Sequence, residues 1–490
     1  MNKTLNYLLQ PLGIQGNEDI NITGIQLDSR KIEDGNLFVA VSGYESDGHR
    51  FIHSAIENGA AAIIGQKTLK ETLTVPYIQV RDSRKALSIL ANYFYDKPHN
   101  KHKMIGITGT NGKTTTSYLL HHILKHNGKT AARLGTVEYV INGNMRESSL
   151  TTPDAILLQQ MLHESEDEYV VMEVSSHGID QYRVHGPMFD YALFTNLSHE
   201  HLDYHKNLEN YYQTKKKIFR CLKNEGRGIV GTYSSWGERL HEELAEELIP
   251  SISFGHSKGV ESIYIKSYQT VPEVNLVIDD NGKEYVINMN IQGEHNVFNA
   301  IGSYICAREI GLSPKEVIEA LETFEGIPGR FETVVIPNGT KAFIDYAHTP
   351  DGLQYALKTA KECTEQYLYH IFGFRAKRDC SKRETMVEIS QNLSDYVFLT
   401  LDDLNGMKKE QMLAELRELS KPYQNIVVMD DRTEAIVYVL SLLKKGDGMI
   451  ITGKGSENYR EEYRFKSRND RETILQVLND SGFEDCEKSL

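Results

Sequence analysis

Residues 106–116, Gly-Ile-Thr-Gly-Thr-Asn-Gly-Lys-Thr-Thr-Thr, hold the side chains whose types and spacing point most directly to chemistry. Glycines permit positive φ angles, so successive backbone N–H groups of such a turn can converge on one phosphate. Lys113 supplies a cation for the terminal phosphates, and the hydroxyl of Thr114 is placed to coordinate Mg²⁺. The segment therefore predicts a nucleoside triphosphate site. Its expected residues are Gly109, Thr110, Asn111, Gly112, Lys113, Thr114 and Thr115.

This segment is a shortened variant of the usual phosphate loop. The usual pattern has four residues between its first glycine and the Gly-Lys pair, whereas Gly109 and Gly112 have only two between them. The competing interpretation is a glycine-rich turn with an unrelated lysine. We disfavour it because the apolar run 103–108 predicts a buried strand before the turn, and a helix is predicted to begin near Thr114. A phosphate is favoured at the positive end of such a helix.

Apolar runs and helical patterns alternate along the chain, which predicts an α/β protein. A chain of 490 residues is too long for one core, so several domains are expected. We predict three domains, at residues 1–100, 101–327 and 328–490. A turn-rich linker at 95–100 separates the first two, and 327–330 opens the third. The central domain is expected to hold a mostly parallel sheet with helices on both faces, and the third to be a smaller α/β domain.

Polar clusters at 173–178, 195–203 and 345–351 each follow an apolar run directly. Because ligands of open parallel sheets bind at the carboxyl ends of the strands, these clusters predict one shared site. Glu173 is a candidate Mg²⁺ ligand, and a helix-start carboxylate is the alternative. His201 and His205 have four-residue spacing but no evident third ligand, so their spacing alone does not predict a metal site. The lysine run 215–217 by itself indicates only a solvated helix face.

Composition excludes several classes of protein. The net charge of −14 disfavours a nucleic acid partner, and the 40% hydrophobic content is typical of globular proteins. The five cysteines are scattered, which argues against a disulfide framework or a zinc ribbon. No apolar run approaches the roughly 18 residues of a membrane span. We therefore expect a cytoplasmic protein with no membrane partner.

Taken in order, the motifs resemble the Mur ligase family, in particular its MurE type. The resemblance rests on 27–30, 35–40 and 47–49, then on 109–114, 151–154, 173–183 and 196–203, and in the third block on 329–332 and 345–351. The glycine-lysine loop is shared with folylpolyglutamate synthetases, whereas Thr151-Thr152-Pro153 and the first-block pattern are more particular to MurE-like proteins. The resemblance implies an N-terminal UDP-binding domain, a central ATPase domain and a C-terminal Rossmann-like domain.

The same resemblance implies the reaction. An ATP-dependent ligase of this type adds an amino acid to UDP-N-acetylmuramoyl-L-alanyl-D-glutamate, a peptidoglycan precursor, through an acyl phosphate. Two Mg²⁺ ions would neutralise the charge that builds up during phosphoryl transfer. Catalytic and metal-binding roles are implied for Lys113, Thr114, Glu173, His201 and Lys215. The family spacing Lys-x-x-aliphatic-Phe matches residues 215–219, so Lys215 is the lysine expected to be carbamylated to N6-carboxylysine.

Further roles carry over by position. Around ATP, beyond the loop, the resemblance implies Asn299, Arg330, Asp345 and His348. Around the UDP-linked substrate it implies Leu27, Ser29, Gly43, Tyr44, Glu45, Thr151, Thr152, Ser175, Gln181 and Arg183. Around the incoming amino acid it implies Arg378, Asp402, Asp403, Asn405, Gly453 and Glu457. Division of the site between domains predicts a hinge that closes over a hydrolysable intermediate.

The third block departs from the family pattern where the amino acid should be recognised. The segment that reads Gly-x-Gly-Gly-Asp-Arg-Asp in MurE enzymes is 373–379 here and lacks two of the glycines. The segment that reads Asp-Asn-Pro-Arg in diaminopimelate-adding enzymes is Asp-Asp-Leu-Asn, so Asn405 replaces an arginine that would clamp a carboxylate. Loss of that clamp and gain of Asp403 favour lysine or an unusual amino acid over meso-diaminopimelate.

Two alternatives stay open from the sequence. One is a MurE-like paralogue that ligates an amino acid to a different carboxylate in a specialised pathway. The other is a non-catalytic nucleotide-binding regulator, which the intact set of phosphoryl-transfer residues disfavours. The partners expected for the leading interpretation are the UDP-linked dipeptide and a free amino acid, and the protein is expected to be a monomer.

Overall fold

The fold is built on three main sheets, described in a computed structural model that covers residues 1–15, 20–43, 46–186, 188–256, 263–377 and 379–480. The sheets follow one another along the chain without exchanging strands. Each has its own buried apolar clusters, as expected for a chain too long for a single core. The predicted three-domain α/β fold with a central, mostly parallel sheet is confirmed. The predicted domain limits remain predictions.

The N-terminal part holds a small parallel sheet and a two-stranded antiparallel pair. Its strands are β1 Lys3–Thr4, β2 Asn21–Ile22, β3 Gly24–Gln26, β4 Asn36–Ala40, β5 Ala62–Gly65 and β6 Tyr77–Gln79. Its helices are α1 Leu5–Leu9, α2 Ile52–Glu57 and α3 Ser83–Phe94, and short 3₁₀ turns occupy Ser29–Lys31, Gly48–Phe51 and Pro98–Lys101. The last of these lies within the turn-rich segment that joins this part to the central sheet.

The central sheet has eleven strands, with parallel strands in the middle and antiparallel strands at both edges. Its strands are β7 Lys103–Thr108, β8 Ala131–Leu134, β9 Glu138–Ile141, β10 Asn144–Glu147, β11 Tyr169–Glu173, β12 Phe189–Phe194, β13 Leu222–Gly231, β14 Ser251–Gly255, β15 Ile263–Gln269, β16 Val274–Asp280 and β17 Lys283–Met289. Their order is β10-β9-β8-β11-β7-β12-β13-β14-β15-β16-β17. The strand before the phosphate loop, β7, therefore lies between β11 and β12, and the ends of all three face the same edge.

Helices cover both faces of this sheet, which buries its apolar strands from both sides. They are α4 Lys113–His126, α5 Ala155–Glu164, α6 Ser176–Asp180, α7 Leu202–His205, α8 Leu208–Lys216, α9 Ser235–Glu246, α10 Glu294–Ile310 and α11 Pro314–Glu322. Helix α10 packs against α4 and is buried along most of its length. This packing holds the start of α4, and with it the phosphate loop, in a fixed position.

The third sheet is smaller and mostly parallel, in the order β18-β19-β23-β20-β21-β22, with only the edge strand β18 antiparallel. Its strands are β18 Glu332–Val335, β19 Lys341–Asp345, β20 Leu368–Phe374, β21 Tyr396–Leu401, β22 Ile426–Val428 and β23 Gly448–Thr452. Its helices are α12 Pro350–Glu362, α13 Arg383–Leu393, α14 Lys409–Ser420, α15 Arg432–Leu442 and α16 Asp470–Asp480. Across the ranges described, no helix is both long and apolar enough to cross a membrane.

Candidate active site

The loop between β7 and α4 has the backbone that its glycines were expected to allow. Gly109 and Gly112 have φ angles of +149° and +85°, which side chains of L-residues rarely permit. A Cβ at Gly109 would collide with the Thr195 hydroxyl, and one at Gly112 would collide with the Asn299 amide oxygen. The side chains of Thr195 and Asn299 therefore pack directly against the loop, and only glycine fits at positions 109 and 112.

Two lysines meet at this loop, Lys113 partly exposed to the cavity and Lys215 almost fully buried. The Nζ of Lys113 donates to the carbonyl oxygens of Gly109 and Thr110, both at 2.8 Å. The Nζ of Lys215 donates to the same Gly109 oxygen at 2.7 Å. Burial lowers the pKa of Lys113 to about 8, and burial together with Lys113 holds the pKa of Lys215 well below its usual value. Lys113 lines the cavity and Lys215 does not, so Lys113 is the amine that a phosphate in the cavity could meet.

Glu173 ends β11 as a fully buried carboxylate surrounded by hydroxyl groups. The Thr114 hydroxyl donates to it at 3.0 Å, and Thr136 donates its hydroxyl at 2.9 Å and its backbone N–H at 3.0 Å. A Cβ at Gly135 would collide with the carboxylate. The side chain that caps the following helix α6 is that of Ser175, which argues against the helix-start interpretation of Glu173.

His201 lies at the start of α7 with a φ of +55°, a conformation uncommon for a residue with a side chain. Its ring approaches that of His177 edge to face, with centroids 4.7 Å apart. Burial lowers the pKa of His201 far below its usual value, and the neighbouring His177 and Lys215 add to the effect. The imidazole is therefore neutral at physiological pH, which is the form with a free lone pair.

The third domain reaches the phosphate loop through Arg330. Its Nη2 donates to the Thr114 hydroxyl at 3.2 Å, and its guanidinium lies 4.2 Å from the centroid of the Tyr346 ring. Asp345, at the end of β19, accepts backbone N–H groups with both carboxylate oxygens, and burial raises its pKa. Burial lowers the pKa of His348 to about 3, with Lys382 adding to the shift.

A buried ion pair joins the central and third domains beside the site. The Nζ of Lys382 lies 3.0 and 3.1 Å from the two carboxylate oxygens of Glu200, and both residues are almost fully buried. Next to it, the ring of His199 contacts the Ser381 hydroxyl at 3.3 Å. Loss of either partner would leave the other charge buried without a counter-ion. The pair therefore stabilises the contact between the two domains.

Two aromatic rings give the site a flat apolar wall. Tyr233 and Phe298 stack with centroids 3.8 Å apart and an interplanar angle of 15°, and both line the cavity. Asn299, the next residue along α10, is buried and accepts a hydrogen bond from Thr116 of α4 at 3.4 Å. A planar base fits such a wall through stacking.

These groups surround one cavity of about 910 Å³ between the central and third domains, which is large enough for a nucleotide and a second substrate. The predicted ATP residues that line it are Thr110, Asn111, Gly112, Lys113, Thr114, Thr115, Asn299, Arg330, Asp345 and His348. The other predicted residues that line it are Thr151, Glu173, Ser175, Gln181, His201, Asp402 and Gly453. The expectation of one site at the carboxyl edge of the sheets agrees with this geometry.

Several predicted residues lie elsewhere. Those that do not line the cavity are Gly109, Thr152, Arg183, Lys215, Asp403, Asn405 and Glu457, and Leu27, Ser29 and Gly43 lie in the N-terminal part. Gly109 and Lys215 lie directly behind the loop, whereas Arg183 donates to the Thr152 carbonyl and the Gln181 amide oxygen, both at 2.8 Å. Tyr44, Glu45 and Arg378 fall outside the described residues.

The two carboxylates of the segment 402–405 are paired with a buried lysine from another loop. Lys454, fully buried, lies 2.6 Å from Asp403 and 3.1 Å from Asp402. Asn405 donates its amide to the Ala376 carbonyl at 2.9 Å, so its side chain joins two loops. A single buried lysine therefore lies against both carboxylates of the acidic pocket that was expected from Asp403.

Sequence reasoning missed several side chains of the site. Thr136 and Tyr233 belong to no motif, and Phe298, which directly precedes the predicted Asn299, was given no role. The fold brings all three to the cavity. Arg375 and Lys382 lie in the segment that departs from the family pattern, and no role was predicted for either. The sequence did contain a signal for Arg375, because a cationic residue replaces a loop glycine of the family pattern at this position.

The donor set fits a magnesium-bound nucleotide. Within the residues the structure covers, no group of three or more His, Cys, Asp or Glu side chains is arranged to hold a metal ion by itself. Mg²⁺ bound with a nucleotide takes one or two protein carboxylates and completes its shell with waters and phosphate oxygens. A hydroxyl and a buried carboxylate in contact, Thr114 and Glu173, lie next to the phosphate loop as this chemistry requires.

The profile described as Mur ligase middle domain matches residues 107–307, the Mur ligase glutamate ligase domain matches 329–455, and the Mur ligase family catalytic domain matches 21–95. A UDP-N-acetylmuramoyl-L-alanyl-D-glutamate–2,6-diaminopimelate ligase of Clostridium acetobutylicum is 37% identical over 454 residues, covering 91% of this chain and 92% of the relative. The enzyme of the same name from Bacillus velezensis is 35% identical over 471 residues, covering 94% and 95%.

Solved structures agree with the profiles. A structure of UDP-N-acetylmuramoyl-L-alanyl-D-glutamate–2,6-diaminopimelate ligase superposes with a TM-score of 0.70 at 25% identity, covering 98% of this chain and all of the other. A MurF ligase of Thermotoga maritima in complex with ADP shares the fold, with a TM-score of 0.63 at 22% identity over 93% and 97% of the two chains. The sequence relatives, the three profiles and the shared architecture together establish that this chain belongs to the Mur ligase family.

Proposed function

We propose that the protein is an ATP-dependent ligase that joins the amino group of an amino acid to the free D-glutamyl carboxylate of UDP-N-acetylmuramoyl-L-alanyl-D-glutamate. The observation that carries the proposal is the single cavity in which a phosphate loop, a buried hydroxyl–carboxylate pair and charged groups of the third domain come together. The names of relatives that match more than nine-tenths of the chain support the same substrate. They support neither a specialised-pathway paralogue nor a regulator.

The reaction proceeds in two steps. A substrate carboxylate oxygen attacks the γ-phosphorus of ATP, an O–P bond forms, and the bond to the ADP oxygen breaks. The amine then attacks the acyl carbon, a C–N bond forms, phosphate leaves with the C–O electron pair, and the amine gives up a proton. Closure of the third domain protects the acyl phosphate from water. The Lys382–Glu200 pair supports such a closed arrangement.

ATP lies with its phosphates on the loop and its base on the aromatic wall in this proposal. The N–H groups of 109–112 and the Nζ of Lys113 hold the phosphates, and Arg330 reaches the same end from the third domain. Tyr233 and Phe298 stack against adenine beside Asn299. Asp345 and His348 close the cavity from the third domain.

Mg²⁺ would be held by Thr114 and Glu173 at one position and by His201 and Lys215 at the other. When bound, the metal supplies charge neutralisation along the transferring phosphoryl group. The contact between Thr114 and Glu173 supports the first position. For the second, His201 presents a neutral, partly exposed imidazole to the same cavity.

Lys215 is proposed to be N6-carboxylysine. Its neutral amine attacks CO₂, an N–C bond forms, a C=O electron pair moves to oxygen, and a proton is released, which leaves an anionic carbamate. The family spacing of 215–219 supports this assignment, and so does the full burial of Lys215 behind the phosphate loop. Lys216 differs, because it is paired with Glu243 at 2.6 Å.

The UDP-linked dipeptide is proposed to cross from the N-terminal part to the cavity. Thr151, Ser175 and Gln181 line the cavity and would contact the substrate directly, while Arg183 orients Gln181 through a 2.8 Å hydrogen bond. Leu27, Ser29 and Gly43, with Tyr44 and Glu45, are assigned to the uridine end. Thr152 supports Ser175 through a 3.1 Å contact between hydroxyls. We also propose a cytoplasmic monomer.

The decisive experiment is phosphate release from ATP with UDP-N-acetylmuramoyl-L-alanyl-D-glutamate and a panel of amino acids. We expect release only when both the dipeptide and an accepted amino acid are present, with amide formation confirmed by mass spectrometry. Lys113→Met should abolish release while the fold is retained. Tight nucleotide binding with no turnover for any amino acid would overturn the proposal.

A further inference from the structure

Thr136 holds the buried carboxylate of Glu173 through two donors. It lies just after β8, and its hydroxyl donates to Glu173 Oε2 at 2.9 Å while its backbone N–H donates to Oε1 at 3.0 Å. The same carboxylate packs against Gly135, where a Cβ would collide with Oε1. Because both oxygens are bonded to one residue, a rotation of the carboxylate would break at least one of the two bonds. Thr136 therefore fixes how Glu173 faces Thr114, its proposed partner in holding Mg²⁺.

The hydroxyl of Thr136 also contacts the hydroxyl of Thr151 at 3.1 Å, and the direction of this hydrogen bond follows from Glu173. Glu173 receives three donors, and an ionised carboxylate only accepts, so it takes the single hydroxyl hydrogen of Thr136. Thr151 is then the donor to Thr136, and its own oxygen keeps lone pairs for a ligand. Since Thr151 lines the cavity, it can accept an N–H or O–H group of a bound molecule. A directed chain of hydrogen bonds then runs from that molecule through Thr151 and Thr136 to Glu173.

Thr151 belongs to the loop 148–154, which joins β10 to α5. Two bonds tie this loop to the turn after β8. Thr151 bonds to Thr136, and the hydroxyl of Ser148 donates to the Gly135 carbonyl at 2.7 Å. The first four residues of the loop are exposed or half-buried, so hydrogen bonds contribute more than apolar packing to their order. A ligand that bonds to Thr151 would therefore order the loop and, through it, the hydroxyl of Thr136.

Glu173 joins this chain to a second chain that starts at the phosphate loop. Thr114 donates its hydroxyl to the same oxygen, Oε2, at 3.0 Å, and accepts a hydrogen bond from Nη2 of Arg330 at 3.2 Å. In a buried site of low dielectric constant, the hydrogen bonds of one chain polarise and strengthen one another. The bond from Thr136 therefore affects the orientation and the charge that Glu173 offers beside the phosphate loop. Among the described residues, the hydroxyl of Thr136 itself bonds only to Glu173 and Thr151.

We propose that Thr136 is a positioning residue that transmits binding of the UDP-linked dipeptide at Thr151 to the carboxylate of Glu173. Through this chain, the dipeptide and the magnesium-bound nucleotide strengthen each other's binding. The inference rests on the proposed ligase function and adds a coupling between its two ligands. Such a coupling is reciprocal, because each ligand must change the affinity for the other by the same factor. The group that Thr151 would recognise is an amide N–H or a sugar hydroxyl of this substrate, since its own hydrogen is already donated.

The hold on Glu173 can be measured without turnover, by calorimetry of ADP binding at a series of Mg²⁺ concentrations. Thr136→Val removes the hydroxyl but keeps the backbone N–H and nearly the same shape. We expect the Mg²⁺ concentration needed for half of the gain in ADP affinity to rise by about tenfold, as for other residues that orient metal-binding side chains. The affinity for ADP in EDTA should stay unchanged. Thr136→Ser keeps the hydroxyl but loses the methyl group, so it should respond to Mg²⁺ almost as the unmodified protein does.

The link to Thr151 is tested by the affinity for UDP-N-acetylmuramoyl-L-alanyl-D-glutamate with and without Mg²⁺ and ADP. We expect Mg²⁺ and ADP together to tighten its binding by about fivefold or more in the unmodified protein and in Thr136→Ser, but by less than about twofold in Thr136→Val. Thr130→Val is the matched control, because Thr130 directly precedes β8 and its hydroxyl accepts the Glu168 N–H at 2.9 Å, outside the cavity lining. The magnesium response and the coupling should both be unchanged in this control.

The outcomes separate the inference from the ligase function. Coupling that persists in Thr136→Val, or that is absent from the unmodified protein, would overturn the inference. An equal loss in Thr130→Val would overturn it as well, since it would show a general destabilisation around β8. No binding of the UDP-linked dipeptide under any condition would instead refute the ligase function, while the magnesium response of ADP binding would still test the hold on Glu173.

Discussion

The phosphate end and the amino-acid end of the cavity differ in how their charges are arranged. At the phosphate end, the Nζ groups of Lys113 and Lys215 donate to one carbonyl oxygen, and neither lies within hydrogen-bond distance of a carboxylate among the described residues. At the amino-acid end, Lys454 lies against Asp402 and Asp403, and Arg375 lies against Glu457. A site for a highly charged anion keeps an excess of one sign, whereas a site for a zwitterion holds both signs with only part of each left free. The difference explains why a motif predicts the phosphate end, whereas the charge pairs of the amino-acid end become visible only in the folded structure.

Lys215→Met should have the largest effect in a test of this comparison. Because it removes a group proposed to act on the transferring phosphoryl group, we expect kcat to fall by about 10²- to 10³-fold. Phosphate release measures it, and added short-chain carboxylic acids should restore part of the activity if a carbamate is what has been lost. Lys217→Gln, an exposed neighbour in the same run, is the control. A loss confined to Lys217→Gln would show that the wrong lysine was chosen.

Lys382→Gln tests whether the two ends work only when held together. It leaves Glu200 buried and unpaired, which costs about 3–5 kcal/mol in a rigid site. Since the carboxylate can reach water when the domains separate, we expect a smaller loss, about 10- to 100-fold in kcat/KM, with a larger radius of gyration in solution scattering. Lys315→Gln breaks an exposed pair and should change neither quantity. Unchanged scattering with full activity would show that the Lys382–Glu200 pair does not stabilise the closed arrangement of the domains.

Gly112→Ala tests the geometry of the phosphate end alone. The positive φ costs an alanine roughly 1–2 kcal/mol, and its Cβ would collide with Asn299. We expect nucleotide affinity, measured by calorimetry, to fall by about tenfold or more. Gly128→Ala has a φ of +69° with open space around it, so it should lower stability without weakening nucleotide binding. Equal effects of both variants on affinity would mean that backbone strain, and not the loop, is being measured.

Asn405→Gly should have the smallest effect on activity and sharpens the comparison at the amino-acid end. Glycine tolerates the positive φ of this position, so the change removes only the amide bond to Ala376. Loss of one such bond should reduce the free energy of unfolding by about 1 kcal/mol. The preference between diaminopimelate and lysine should stay within about threefold. A larger change of preference would show that Asn405 takes part in amino-acid recognition.

Much of the fold could be predicted because it depends on local patterns. The strand predicted at 103–108 is β7, and the apolar runs expected directly before the polar clusters at 173–178, 195–203 and 345–351 are β11, β12 and β19. The antiparallel hairpins β15–β17 were not predicted. The alternation of β16 and the Asn281-Gly282 turn before β17 were local signals for one hairpin that went unused. The pairing of β15 with β14, which joins these strands to the central sheet, is encoded by no local pattern.

The sequence by itself determined the phosphate loop, because glycine spacing, a lysine and a hydroxyl fix that geometry within a few residues of chain. It also indicated Glu173 and Arg330 as partners of the loop, and both contact Thr114. Only the tertiary structure decided the amino-acid end. There the loops after β20, β21 and β23 exchange charges across the sheet edge, so whether Arg375, Asp402 or Asn405 faces the cavity depends on pairings far apart in the chain. Electrostatic pairing of that kind is a property of the folded molecule, and no single segment contains it.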